Sequence, residues 1–133
     1  MVSFELFRME DGSPIYAQIV RHIKRMVAAG TASDGEELPS RRMLSSSLGV
    51  NPNTVQKAYR ILEEEGLMES HTGAKSILTL DEGKVLDVRR QLLEGEAAAL
   101  VSALKKSGST KEEALALVSQ LWDREEQEGG QEQ

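Results

Sequence analysis

A mainly α fold carrying one small β-hairpin is predicted for this 133-residue chain by three observations. Apolar residues recur at helical spacing in five separate stretches. A single stretch, "LMESHTGAKSILTL" at 67–80, alternates about a glycine-containing turn as a hairpin does. Composition removes the competing classes. Without cysteine there are no disulfides or thiolate metal sites, and a reducing cytoplasm is the expected home. No apolar run reaches membrane-spanning length, so no membrane partner is expected. "MVSFELFRMEDG" lacks the apolar core of a signal peptide.

The elements follow in order. "FELF" at 4–7 is a short extended candidate with Phe4 and Leu6 on one side, and Asp11-Gly12 is a turn. Ser13 is the expected N-cap of a helix whose first position is Pro14, where the missing N–H costs nothing. Tyr16, Ile19, Val20, Ile23 and Val27 form its apolar stripe and Gly30 its left-handed stop. The polar loop "TASDGEE" leads to Leu38-Pro39 and a short helix from about Ser40 to Leu48, with few apolar members. Gly49-Val50 turns the chain into a further helix.

That helix begins on Asn51-Pro52-Asn53-Thr54. Asn51 is the expected cap, accepting from the Thr54 N–H, with Pro52 at the first position and Val50 stapled on Val55. Val55, Ala58, Tyr59 and Leu62 make the buried stripe. Asn53, Thr54, Gln56, Lys57 and Arg60 then point outward from the first two turns. Glu63, Glu64 and Glu65 lie at the far end, before Gly66.

Two helices joined at a glycine, the second exposing amides and cations at its start, have the layout of a helix-turn-helix, whose second helix enters the major groove of duplex DNA. The amides of Asn53 and Gln56 can donate and accept at once, which suits base edges. Arg41, Arg42, Lys57 and Arg60 suit phosphates, which long cationic stems hold in any sequence. The formal net charge of −6 does not exclude such a partner. Residues 1–80 carry 9 Lys+Arg against 10 Asp+Glu, and residues 81–133 carry 7 against 12, so the acid sits mostly in the C-terminal part. With the hairpin added, residues 1–80 read as a winged helix-turn-helix.

Residues 14 to about 80 resemble the DNA-binding domain of the GntR family of bacterial transcription regulators. The resemblance rests on "PIYAQIVRHIKRMVAAG", "LPSRRML", "LGVNPNTVQKAYRILEEEGL" and the wing glycine, in matching order and spacing. The "PIYAQI" start, the "NPNTVQKAY" helix and the short tail resemble its YtrA-like subfamily. The resemblance implies a homodimer on a palindromic operator, usually as a repressor. It implies that Arg42 contacts DNA, that Asn53, Thr54 and Gln56 occupy recognition-helix contact positions, and that Gly73 is the wing-tip glycine, with Thr72 before it and Lys75 two residues on. Two departures stand out. Arg41 occupies a position often acidic or apolar in the family, and the wing lacks a cation just before its glycine.

Residues 81–124 read as two helices. The first, from about Glu82 to Leu104, carries Leu86, Leu93, Ala97, Leu100, Val101 and Leu104. "KSGST" breaks the pair, Ser109 or Thr110 with Glu112 or Glu113 reads as a capping box, and Leu115, Val118, Leu121 and Trp122 follow. Two helices without a third layer need a partner surface. A homodimer held by Leu86, Leu93, Leu100, Leu104 and Trp122 is therefore expected. Residues 125–133, without an apolar side chain, are expected to be a disordered tail.

Simpler readings exist for each motif. Asn51-Pro52 is also an ordinary helix start, Arg41-Arg42 also a solvated pair, and Glu63-Glu64-Glu65 also a solvated helix end. His22 and His71 are isolated, so no metal site is expected. No nucleophile, paired-carboxylate or phosphate-loop arrangement is placed to work, so no enzyme and no cofactor are expected. The expected function is a sequence-specific DNA-binding regulator. The alternative is a winged helix used to bind proteins, since fold alone does not fix function. Any effector, its chemistry unknown, would bind without a dedicated domain, at the dimer interface or near residues 80–85.

Overall fold

A computed structural model describes residues 1–71 and 75–131. Among them the elements are α1 (Ile15–Ala29), β1 (Glu37–Leu38), α2 (Arg41–Leu48), α3 (Pro52–Glu64), β2 (Met68–His71), β3 (Lys75–Leu78), α4 (Glu82–Lys106) and α5 (Lys111–Gln131). They divide into two compact units, Met1–Leu93 and Glu94–Gln133.

In the first unit, α1 buries Ile19, Val20, Ile23 and Val27, the stripe its spacing predicts, and stops on Gly30 at φ +78°. Its start departs from expectation. The helix begins at Ile15, with Pro14 in the cap position and no side-chain cap. The Ser13 hydroxyl is not the anchor. Instead the Gln18 amide holds the incoming chain: Nε2 donates to Glu10 O (2.8 Å) and Ser13 O (2.9 Å), while Oε1 accepts from Glu10 N (2.8 Å). "FELF" is likewise a turn and not a strand, closed by Phe7 N donating to Phe4 O at 3.1 Å. A turn brings residues three apart to one side. Phe4 and Phe7 therefore meet the ring of His22 on α1, at 4.7 and 5.4 Å between centroids, and Leu6 is left 87% exposed.

β2 and β3 form the expected hairpin, with Met68 opposite Leu78 and His71 opposite Lys75. The sheet is larger than expected, because β1 pairs antiparallel with the other edge of β3 in the order β1-β3-β2. Two residues closing an acidic loop offer no alternation to read, which is why β1 is invisible in the sequence. The core gathers Ile19, Ile23 and Val27 with Leu38, Leu44, Val55, Ala58, Tyr59, Leu62 and Leu78.

α4 also contributes to this core. Val88 is 5% exposed, and Val85 and Leu92 pack partly against the same cluster. Lys84 Nζ donates to Gly66 O (2.7 Å) and Thr79 O (3.2 Å), tying the first turn of α4 to the residues that precede it. The boundary expected at residue 80 thus moves to Leu93, since the apolar positions of early α4 complete the first unit instead of standing outside it.

The second unit holds the remainder of α4 and α5. Gly108 is left-handed at φ +82°. The capping box is Thr110 with Glu113: Thr110 N donates to Glu113 Oε1 (3.2 Å) and Glu113 N to Thr110 Oγ1 (3.1 Å). α5 runs on to Gln131 where a disordered tail was expected from residue 125. Lack of apolar residues removes packing but not helix propensity, which Glu and Gln retain. Trp122 Nε1 also donates to Glu126 Oε1 one turn ahead, at 3.1 Å.

Candidate nucleic-acid interface

The turn from α2 to α3 is held by local chemistry. Ser40 caps α2 by accepting from Met43 N at 3.1 Å, and Gly49 takes the left-handed conformation, φ +68°, that a side chain would strain. Asn51 does cap α3, but its Oδ1 accepts from Asn53 N at 2.8 Å, one residue nearer than expected. Thr54 N is satisfied by the Asn51 carbonyl instead, at 2.9 Å.

α3 buries Val55, Ala58, Tyr59 and Leu62. Its outer face presents Asn53, Lys57 and Arg60 exposed, with Thr54 and Gln56 half-buried between them. Arg42 is exposed in the first turn of α2, and Lys75 is exposed at the start of β3. The expected outward residues of α3 thus share one surface. Lys57 has a partner already, its Nζ lying over the Tyr16 ring of α1 at 4.0 Å from the centroid. Thr72 and Gly73, the expected wing tip, lie outside the described residues.

Arg41 is the exception among the expected phosphate contacts. Its guanidinium turns inward: Nη1 donates to Ser76 Oγ (3.2 Å), and Nη2 to Glu63 Oε1 (2.9 Å) and Ser70 Oγ (3.1 Å). It also lies 5.2 Å from the centroid of the Tyr59 ring. One acid and two hydroxyls of its own fold thus already hold this cation. Ser70 and Ser76 were not singled out by sequence. The one signal was Ser76, a polar residue on the inward side of an alternating strand and fully buried in the fold.

Two of the three glutamates ending α3 are neutralised locally. Glu63 pairs with Arg41 at 2.9 Å and Glu65 with Lys24 of α1 at 2.9 Å. The acidic end of the helix is therefore less repulsive to a polyanion than its sequence suggests.

Tyr59 anchors the site from below. Its hydroxyl donates to Pro39 O at 2.7 Å, joining α3 to the segment before α2. Burial pushes the phenol well above its ordinary pKa of ~10, with Arg41 pulling weakly the other way. The folded state thus holds this proton more tightly than the unfolded chain. Its contribution to stability is complete below about pH 10 and is lost as pH rises beyond it, by up to ~1.4 kcal/mol per pH unit. Denaturant titrations between pH 9 and 11 should show that fall in the parent chain and a shallower one in Tyr59→Phe; equal slopes would refute it.

A short helix, a glycine turn, an exposed polar helix and an adjoining hairpin make the first unit a winged helix-turn-helix of the DNA-binding class. The family profile "Bacterial regulatory proteins, gntR family" matches residues 15–76. The transcriptional repressor YtrA of Bacillus subtilis is 40% identical over 88 residues, 62% of this chain and 68% of that protein. The HTH-type regulator YhcF of the same organism is 31% identical over 113 residues, covering 81% and 89%. A GntR family regulator of Listeria monocytogenes superposes with a TM-score of 0.74 at 33% identity, over 84% of this chain and 98% of that one. The chain belongs to the GntR family of bacterial regulators. It is a DNA-binding transcription regulator of YtrA-like type, and not an enzyme.

Proposed function

We propose that the chain is a repressor that binds a palindromic operator as a homodimer in the cytoplasm. The observation that carries this reading is the asymmetry of α3, whose first two turns expose amides and cations while Glu63 and Glu65 at its far end are paired. That the related YtrA of Bacillus subtilis is a transcriptional repressor supports the direction of regulation. In this reading Asn53, Thr54 and Gln56 meet base edges, and Arg42, Lys57 and Arg60 hold phosphates. Lys57 would exchange the Tyr16 ring for a phosphate. Lys75 would follow the hairpin to the flanking groove.

The partner of the second unit, in the same reading, is a second copy. Leu100, Val101, Leu115, Leu121 and Trp122 are exposed there, Trp122 by 67%. Leu86 and Leu93 are exposed on the first unit's stretch of α4, and Leu104 is half-buried. Burying such side chains is worth about 25 cal/mol per Å², enough for a handful of leucines to hold a pair. A cavity of about 490 Å³ lined by Val101, Leu104, Lys105, Thr110 and Leu115 lies on this unit and is where an effector would bind.

Gel shifts with the DNA upstream of the gene, against a scrambled duplex at two salt concentrations, test the proposal. Binding to the operator should be at least ~10³-fold tighter than to the scramble. No discrimination, or no shift at either salt, would favour a protein-binding module. Gln56→Ala should cost roughly 1–3 kcal/mol on the operator and little on the scramble. Arg42→Ala should weaken both and lower the slope of log affinity against log salt by about one. Asn51→Ala should act through its cap, costing ~1 kcal/mol of stability. If Gln56→Ala weakens both duplexes equally, α3 does not read bases by this face.

A further inference from the structure

Arg41 sits in the first turn of α2, yet its guanidinium is spent on three other elements. It reaches Glu63 in the last turn of α3, Ser70 on β2 and Ser76 on β3. Ser70 Oγ in turn donates to Glu63 Oε1 at 2.6 Å, closing a small ring of polar contacts around one cation. Ser70 and Ser76 face each other directly across the hairpin, and the next rung outward is His71 with Lys75. The grip therefore falls one rung below the described end of the wing.

We propose that Arg41 is a positioning residue that fixes the hairpin against α3, so that wing and recognition helix meet the duplex together, without itself touching DNA. This rests on the DNA-binding reading of α3 and Lys75 given above. Three features of the site support it. The planar fork presents two separate nitrogens at fixed spacing, Nη1 to Ser76 and Nη2 to Glu63 and Ser70, where an ammonium offers one centre on a flexible stem. Ser76 is fully buried, so its hydroxyl needs a fixed partner, and Arg41 is that partner. Glu63 is held by both Arg41 and Ser70, so an acid near the proposed DNA surface serves here as a fastening.

The two readings of this site part in one set of measurements. As a positioning pair, Arg41→Lys and Glu63→Gln should each lower operator affinity about tenfold, an effect expected of residues coupled in one network. In the Lys75→Ala background the slope of log affinity against log salt should stay unchanged by either substitution, because Arg41 itself makes no phosphate contact. Lys75→Ala should then cost much less in either variant than in the parent chain. Were Arg41 a phosphate contact, Arg41→Lys would retain most of the affinity and Arg41→Met would lower the salt slope by about one. Were Glu63 merely an acid facing DNA, Glu63→Gln would tighten binding. Either result overturns the proposal.

A readout independent of DNA separates this inference from the reading beneath it. Amide hydrogen exchange at Ser70, His71 and Lys75 should accelerate in Arg41→Lys and Glu63→Gln by more than any fall in the thermal midpoint accounts for. Unaltered exchange there overturns the positioning role even if DNA binding is normal. If Arg41→Lys does not fold, Glu63→Gln carries both measurements. If Lys75→Ala has no effect in the parent chain, the wing's contact with DNA fails, and the exchange rates alone then decide whether Arg41 holds the hairpin.

Discussion

Ending the chain after Leu93 is expected to give a folded monomer whose operator affinity is roughly 10²- to 10⁴-fold below that of the full chain, the usual gain from joining two binding modules. The fold should survive because every buried core residue, Val88 included, precedes the cut. Affinity should fall because each half-site would then bind alone. A cut after Leu80 should behave differently. It removes Val88, the partly buried Val85 and Leu92, and the two hydrogen bonds of Lys84, so that product should be less stable and not only monomeric. Sedimentation velocity, circular dichroism and gel shifts on the three chains measure this. A monomeric full-length chain, or an operator affinity unchanged by the cut after Leu93, would refute the proposed dimer.

The largest loss of stability is expected at Tyr59. Its side chain is fully buried in the core of the first unit, beside Pro39 and under Arg41, and Tyr59→Ala should cost about 3–5 kcal/mol through the cavity alone. Tyr59→Phe keeps the ring under Arg41 and loses the hydroxyl that donates to Pro39 O. That change should cost only about 1–2 kcal/mol. Urea unfolding of the two variants gives both numbers. A small effect of Tyr59→Ala would mean that the surrounding residues collapse into the space left behind.

The sequence makes the helices legible because their information is local. The stripe of Ile19, Ile23 and Val27, the Gly30 and Gly49 stops, the Asn51 cap and the Thr110–Glu113 box each lie within one or two turns of chain. What it conceals is set by partners far along the chain. β1 is a strand only because β3, some forty residues later, lies beside it. Arg41 reads as a free cation because Glu63, Ser70 and Ser76 are between 22 and 35 residues away. The exposed face of α3 was legible for the same reason as its buried face, one being the complement of the other on a single helix. The boundary at Leu93 was not, since apolar residues of early and late α4 look alike in sequence although they belong to different units.

The pairing of acids at the end of α3 also bears on how the protein finds its site. A chain of net charge −6 approaches a polyanion against an overall repulsion, which at physiological salt fades over about 8 Å. In the proposed interface Arg42, Lys57 and Arg60 would outweigh the sum only at shorter range, because Glu63 and Glu65 there are already matched. On that proposal random duplex would be held weakly and let go quickly, and the time spent on wrong sequence during the search would be short. Sluggish encounter is the other side of that selectivity, and it eases as added salt screens the long-range repulsion.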